Sequence, residues 1–323
     1  MARLTPTHPC TVTQPLIRDE AYHATLRKDM RRQTIRRWVH KLASTYESIV
    51  WKPRWAAAKS SKGKYNNTAP LSRLPLSVCI ITLNSADRIR PLLKYLRPFV
   101  AEIVVGIDSK TTDATWQACE GLADELFMIE NTAATCNGGL KALVEKCHQP
   151  WVLRLDDDEF PEPHLWPLML GITQQHRFTH YKLPRLHLTQ SDNNYLHWSP
   201  DGYLYPDFQM RLFKNDPTLL SFPDAVGHTS ISCKGKRGKI NTVNLVHLNL
   251  AINPRHKREE KLAKYIQRHH GEWVHPINEH ALLFEDFNHY ETLYKYSDAP
   301  FKALLQQTIA QQRQKFETAF THS

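Results

Sequence analysis

The chain has 323 residues, 41% hydrophobic and 23% charged, enough to bury a substantial core in an ordinary globular balance. Its net charge of +10 is uneven: through Arg73 there are 15 Lys and Arg against 4 Asp and Glu, while the remainder carries 27 basic and 28 acidic residues. Six scattered cysteines without a Cys-x-x-Cys pair argue against a disulfide scaffold or a structural zinc site, and no apolar run approaches the ~20 residues of a membrane span. The opening Met-Ala-Arg-Leu-Thr-Pro lacks the apolar core of a signal peptide. The expected setting is the cytoplasm, with a peripheral place at a membrane surface as the alternative.

In chain order, residues 1–20 form a Pro/Thr-rich arm with little to pack. From about Asp19 to Ile49 the pattern is helical, with Leu26, Met30, Ile35, Trp38, Val39 and Leu42 recurring while Arg27, Lys28, Arg31, Arg32, Arg36, Arg37 and Lys41 fill the other positions. Residues 52–72, polar and aperiodic, read as a linker. An α/β rhythm follows: strand Leu76–Leu83, helix Asn84–Leu96, strand Glu102–Ile107, helix Thr112–Leu122, strand Glu125–Ile129, helix Gly138–Cys147, strand Trp151–Leu155. That alternation predicts a mostly parallel sheet covered by helices on both faces, with ligands at the carboxyl ends of its strands. Short strands are expected at Tyr181–Leu188, Gln209–Phe213 and Ile240–Leu248, then helices at Arg255–His270 and Ala299–Phe320. The expected division is a basic, partly helical extension over 1–73, a catalytic-size domain over 74–253 and a helical region over 254–323.

The strand at Trp151 runs into Asp156-Asp157-Asp158-Glu159. Four successive carboxylates repel one another, and behind a buried strand they suit a bound cation. Strand alternation predicts Asp156 and Asp158 on one side, Asp157 and Glu159 on the other. Such an Asp-x-Asp pair suits an oxygen-loving metal that also takes phosphate oxygens. The plain alternative is a solvated acidic turn.

Three stretches in this order resemble a family 2 nucleotide-sugar glycosyltransferase. They are Ser77-Val78-Cys79-Ile80-Ile81-Thr82-Leu83-Asn84, then Glu102 to Ser109 with Thr112-Asp113-Ala114-Thr115, then Trp151 to Glu159. Tyr205-Pro206-Asp207-Phe208-Gln209-Met210-Arg211-Leu212-Phe213, and His247 followed by Arg258, Lys261 and Tyr265, are similar to segments of the lipopolysaccharide-core-type branch. The resemblance implies a GT-A (Rossmann-like) fold with helical extensions at both ends. It implies a nucleoside diphosphate sugar donor, UDP-linked by preference, bound by Thr82, Asn84, Arg88, Asp108 and Asp156. It also implies Mg2+ or Mn2+ on Asp156, Asp158 and His247, with His228 as rival ligand, and inverting transfer to a hydroxyl of a glycan, a lipid-linked saccharide or another acceptor. Arg255, Arg258 and Lys261 join Arg88 as candidate diphosphate partners. Asp207 is the preferred base, with Arg211 as its expected ion-pair partner and Asp201 and Asp224 as alternatives. One departure is visible: where related sequences carry His-Glu, this chain has His228-Thr229.

The plain reading of Asp108 and Asp113 is a turn cap. A sugar-1-phosphate nucleotidyltransferase is set aside, because Asn84-Ser85-Ala86-Asp87-Arg88 lacks the glycines of its phosphate loop. The basic extension, with Tyr46, Trp38, Trp51 and Trp55 among its cations, leaves three readings open. It lies on an anionic membrane surface, tracks nucleic acid, or packs on the catalytic domain. Two functional alternatives follow: transfer onto DNA or RNA bases, and a non-catalytic membrane- or nucleic-acid-binding protein with a degenerate core.

Overall fold

A computed structural model describes residues 73–130, 139–190, 195–198, 205–223, 231–268, 292–294 and 298–321, together with single helical positions between 24 and 42. The α/β rhythm is present: β1 (Leu74–Thr82), α1 (Ala86–Leu96), β2 (Val100–Asp108), α2 (Thr115–Cys119), β3 (Glu125–Ile129), α3 (Leu140–Glu145) and β4 (Trp151–Asp156). Next come β5 (Glu159–Pro161), α4 (Leu165–Gln174), β6 (His180–Gln190), β7 (Leu196–Trp198), β8 (Asp207–Lys214) and the small β9–β10 ribbon (Leu220–Ser221, Ser232–Cys233). The chain continues through β11 (Arg237–Lys239), β12 (Leu245–His247), α5 (Asn249–Ile252), α6 (Arg255–Arg268), β13 (Thr292–Leu293) and α7 (Ala299–Thr321).

The sheet runs β13-β7-β6-β8-β4-β1-β2-β3, with β12 joining β5 and β6 off this path. Strands β3, β2, β1 and β4 are parallel. β8 then pairs antiparallel with β4 and β6. Burial explains the unbroken apolar runs of β1 and β2, since both faces are covered. Val78 and Ile80 join a core shared with Leu92 of α1, Met169 of α4 and Leu305 of α7. Cys79 and Ile81 face the other side, toward Leu140 and Leu143 of α3. There the packing is close: a Cβ on Gly106 would lie 2.1 Å from Ile129 Cδ1 and one on Gly139 2.2 Å from Ile129 Cγ2.

Element boundaries differ from expectation at several points, three of them near the carboxyl edge or the strand that follows. Helix α2 is short: it starts only after Ala114, where the preceding Asp113 Oδ1 accepts the Thr115 N–H at 3.0 Å, and Glu120 leaves helical geometry at ψ 132°, ahead of Gly121 at φ +70°. Asn84 adopts φ +48° and stands before α1 rather than within it. The expected strand over 240–248 shrinks to β12, held between antiparallel β5 and parallel β6. Helix α7 is no detached appendage: Phe301, Leu305 and Ile309 are buried in the main core. Among the described residues no helix is long and apolar enough to cross a membrane.

Candidate active site

The parallel register aligns the carboxyl ends of β1, β2 and β4, pairing Thr82 with Ile107 and Ile81 with Asp156. The polar residues expected there gather at this edge, but most are engaged with one another. Thr82 Oγ1 donates to Asp157 Oδ2 at 2.6 Å and touches the Ser85 hydroxyl. Arg88 clamps the same carboxylate, with Nε at 3.1 Å from Oδ1 and Nη2 at 2.9 Å from Oδ2, and reaches Gln312 of α7 at 3.3 Å. Burial opposes the charge on Arg88, but Asp157 more than offsets it and raises its pKa. Asn84 Oδ1 accepts the backbone N–H groups of Thr112 and Asp113 at 2.8 and 3.3 Å, bracing the loop after β2. Asp108, 1% exposed, accepts the Lys110 N–H at 2.9 Å, so it does serve as a turn cap.

The acidic run does not divide as strand alternation predicted. β4 ends at Asp156 and residues 157–158 turn before β5 begins, so the period of two stops there. Asp157 points to Thr82 and Arg88, and Asp158 to His247. Asp156 shares Arg211 with Glu159: Arg211 Nη2 lies 2.5 Å from Asp156 Oδ2 and 2.6 Å from Glu159 Oε1. Arg154 binds the other Asp156 oxygen at 2.7 Å. Asp156 and Asp158, expected as a metal pair, therefore face different partners here. Asp156 is spent on arginines, because a group at the strand's last position keeps its strand orientation while the turn re-aims Asp158.

Asp158 and His247 do come together, with Asp158 Oδ2 3.3 Å from His247 Nε2. β12 brings them there by pairing His247 with Glu159, and Leu248 N–H donates to Asp158 O at 3.0 Å. Burial alone would raise the Asp158 carboxyl. His247, with Lys261 and Arg88, instead draws it well below the usual carboxylate range, so it is ionised at neutral pH. Two ligands of an octahedral ion at ~2.1 Å stand about 3 Å apart, so this carboxylate–imidazole pair fits a divalent cation. Among the described residues no third His, Cys, Asp or Glu completes a cluster. His247 Nδ1 in turn meets His187 Nδ1 at 2.9 Å, a hydrogen bond of the kind that orients a ligating ring.

Asp207 is held by Arg185, not Arg211. Arg185 Nη2 and Nε lie 2.6 and 2.8 Å from Asp207 Oδ2, while Gln209 Nε2 donates to Oδ1 at 2.6 Å. Against the upward push of burial, Arg185 and His187 hold the carboxyl far below its ordinary range. A general base works best with a pKa near the working pH, so this environment opposes the expected role. Burial also lowers His187, to about 4. Of the other candidates, Arg255 pairs with Glu259 at 2.7 Å and buried Arg258 donates to Asn253 O at 3.1 Å. Lys261 acts on Asp158 only through its field. Asp201, Asp224, His228 and Thr229 lie outside the described residues.

Sequence reasoning missed Arg185 and His187. The available signal was their i, i+2 spacing on a strand, which puts both on one face of β6. Asp157 was also passed over, as the middle residue of an Asp-x-Asp pattern.

Residues 77–231 match the family signature described as glycosyl transferase family 2. No curated protein matches the chain. Among solved structures, glucosyl-3-phosphoglycerate synthase from Mycobacterium tuberculosis with Mg2+ and uridine diphosphate is 18% identical, covering 34% of this chain and 43% of that one, with a TM-score of 0.29. The same enzyme with Mn2+ and UDP-glucose gives the same values, 18%, 34%, 43% and 0.29. S. aureus TarS residues 1–349 is 14% identical, covering 61% of this chain and 72% of that one, with a TM-score of 0.38. The chain thus spans less than half the length of the mycobacterial synthase structures.

Proposed function

Residues 77–231 form a family 2 glycosyltransferase domain, and on that premise we propose a metal-dependent transfer of a sugar from a nucleoside diphosphate, uridine-linked, to a hydroxyl acceptor with inversion. The observation that carries the metal-dependent part is the Asp158–His247 pair, 3.3 Å apart beside the carboxyl edge of the parallel strands. When bound, Mg2+ or Mn2+ supplies Lewis-acid neutralisation of the departing diphosphate. Thr82, Arg88 and Asp157 form the rigid wall beside it, and Asp108 offers a buried carboxylate for the nucleoside.

In the reaction, the acceptor oxygen forms a bond to the anomeric carbon as the bond to the diphosphate oxygen breaks. The leaving pair stays on the diphosphate, and the acceptor proton passes to a base. In this reading Asp207 orients Arg185 and His187 rather than taking that proton. The four described thiols, Cys79, Cys119, Cys147 and Cys233, are free, in keeping with a cytoplasmic setting.

The test is a thermal-shift screen of uridine diphosphate sugars with and without Mn2+, followed by assay of uridine diphosphate release. Metal-dependent stabilisation and slow donor hydrolysis, both lost in Asp158→Ala, are expected. A wild-type chain that ignores every donor would leave a non-catalytic core as the better account.

A further inference from the structure

Seven large apolar side chains are exposed among the described residues, and four of them, Ile35, Trp38, Val39 and Leu42, fall within one eight-residue stretch. They are 64, 62, 57 and 68% exposed, so none of the described residues of the folded domain covers them. The other three, Met128, Leu170 and Tyr195, are isolated. All four clustered positions are helical, and at 3.6 residues per turn the i, i+3, i+4, i+7 spacing sets them on one stripe about 100° wide. Lys28, Arg31 and Arg32 are also helical and exposed, and they occupy the same stripe in the two preceding turns. One helix face is therefore basic in its first half and apolar in its second. Lys41 stands at the flank, its Nζ 5.7 Å from the centre of the Trp38 ring.

We infer that this face docks the enzyme on an anionic lipid surface, with Ile35, Trp38, Val39 and Leu42 entering the acyl boundary and Lys28, Arg31 and Arg32 meeting the headgroup phosphates. Charge complementarity selects this occupant. Through Arg73 the chain carries 15 basic residues against 4 acidic ones, a density that a negatively charged leaflet attracts. An aliphatic stripe adds nothing to binding a phosphate backbone, since Ile, Val and Leu do not stack on bases. A second copy seated in parallel register on the same stripe would bring Lys28 and Arg31 against their own counterparts, where like charges repel. Packing on the catalytic domain is inconsistent with the exposure of all four apolar side chains. A Trp among cations at the edge of an apolar face is the composition of interfacial helices.

The test uses the full chain in vesicle co-sedimentation, comparing phosphatidylcholine alone with phosphatidylcholine containing about a third phosphatidylglycerol. Binding to the anionic vesicles is expected to exceed binding to neutral ones at least tenfold. It should fall at least tenfold in Trp38→Glu/Leu42→Glu and in Lys28→Glu/Arg31→Glu. Raising salt from about 0.05 to about 0.5 M should weaken the wild type. All four substituted side chains are exposed, so unchanged circular dichroism and melting are expected and serve as the folding control. Duplex DNA and sedimentation velocity complete the set. The proposal is overturned if neither vesicle binds, if DNA is bound and vesicles are not, or if Trp38→Glu/Leu42→Glu abolishes a dimer while leaving vesicle binding intact. None of these readouts requires sugar transfer, so failure here and failure of the transferase reading are separable.

Discussion

Arg211→Met is the substitution that most directly tests how the acidic run is held. Arg211 Nη2 lies 2.5 Å from Asp156 and 2.6 Å from Glu159, with side-chain exposures of 6% for Arg211, 31% for Asp156 and 0% for Glu159. At an effective dielectric of ~20, each contact is worth roughly 6 kcal/mol of gross attraction, most of it offset by desolvation. Removing one partner of a buried pair costs about 3–5 kcal/mol, because the other charge stays buried without compensation. Here the lower end applies. Asp156 keeps Arg154 at 2.7 Å, and Glu159 keeps Arg185 at 3.4 Å. A loss of about 3 kcal/mol corresponds to a melting temperature lower by roughly 6–12 °C for a domain of this size. Urea denaturation gives the free energy and calorimetry the temperature. Burial and the neighbouring Asp156 push the Glu159 carboxyl well above its ordinary range, so without Arg211 it takes up a proton; adding Glu159→Gln to Arg211→Met replaces it with a neutral group and should recover a good part of the loss. A single-variant effect below about 0.5 kcal/mol, or a double variant worse than the single, would refute the placement of Asp156 and Glu159 around this arginine.

Other consequences can be measured independently. Asp158→Ala and His247→Ala should each abolish the Mn2+-dependent rise in melting temperature, whereas Asp156→Asn should leave most of it; the reverse order would restore Asp156 as a ligand. Asp207→Asn should leave the shape of the pH–rate profile unchanged while lowering activity through the loosened Arg185, and loss of the basic limb would mark Asp207 as the base after all. Glu102, despite burial that pushes its carboxyl up, is held below its ordinary value of 4.5 by Ser77 and His148. A depressed folded-state pKa means the unfolded chain binds more protons in that window, so the contribution is present above pH 4.5 and lost as pH falls further. Glu102→Gln should cost about 1–2 kcal/mol at pH 7 and flatten the acid limb of the stability curve. Gly106→Ala should destabilise by about 1–3 kcal/mol, since its Cβ would sit 2.1 Å from Ile129 Cδ1, and an unchanged melting curve would mean that α3 and β3 separate easily.

Much of this protein can be read without coordinates. The runs Leu76 to Leu83 and Glu102 to Ile107 are apolar on both faces, which only a helix-covered parallel strand tolerates, so the sheet and its ligand-bearing edge follow from composition and order. The same local logic placed Asp113 as a cap and drew attention to the four carboxylates after Leu155. Which carboxylate meets which partner was not local information. β4 stops at Asp156, and the turn that follows sends Asp157, Asp158 and Glu159 to three different strands' worth of neighbours. Arg185, Arg211 and His247 reach that turn from β6, β8 and β12, at sequence separations of 26, 52 and more than 80 residues that no periodicity encodes. Strand pairing alone sets those distances. Local pattern therefore determined where charge accumulates in this chain, and long-range register decided what each charge is for.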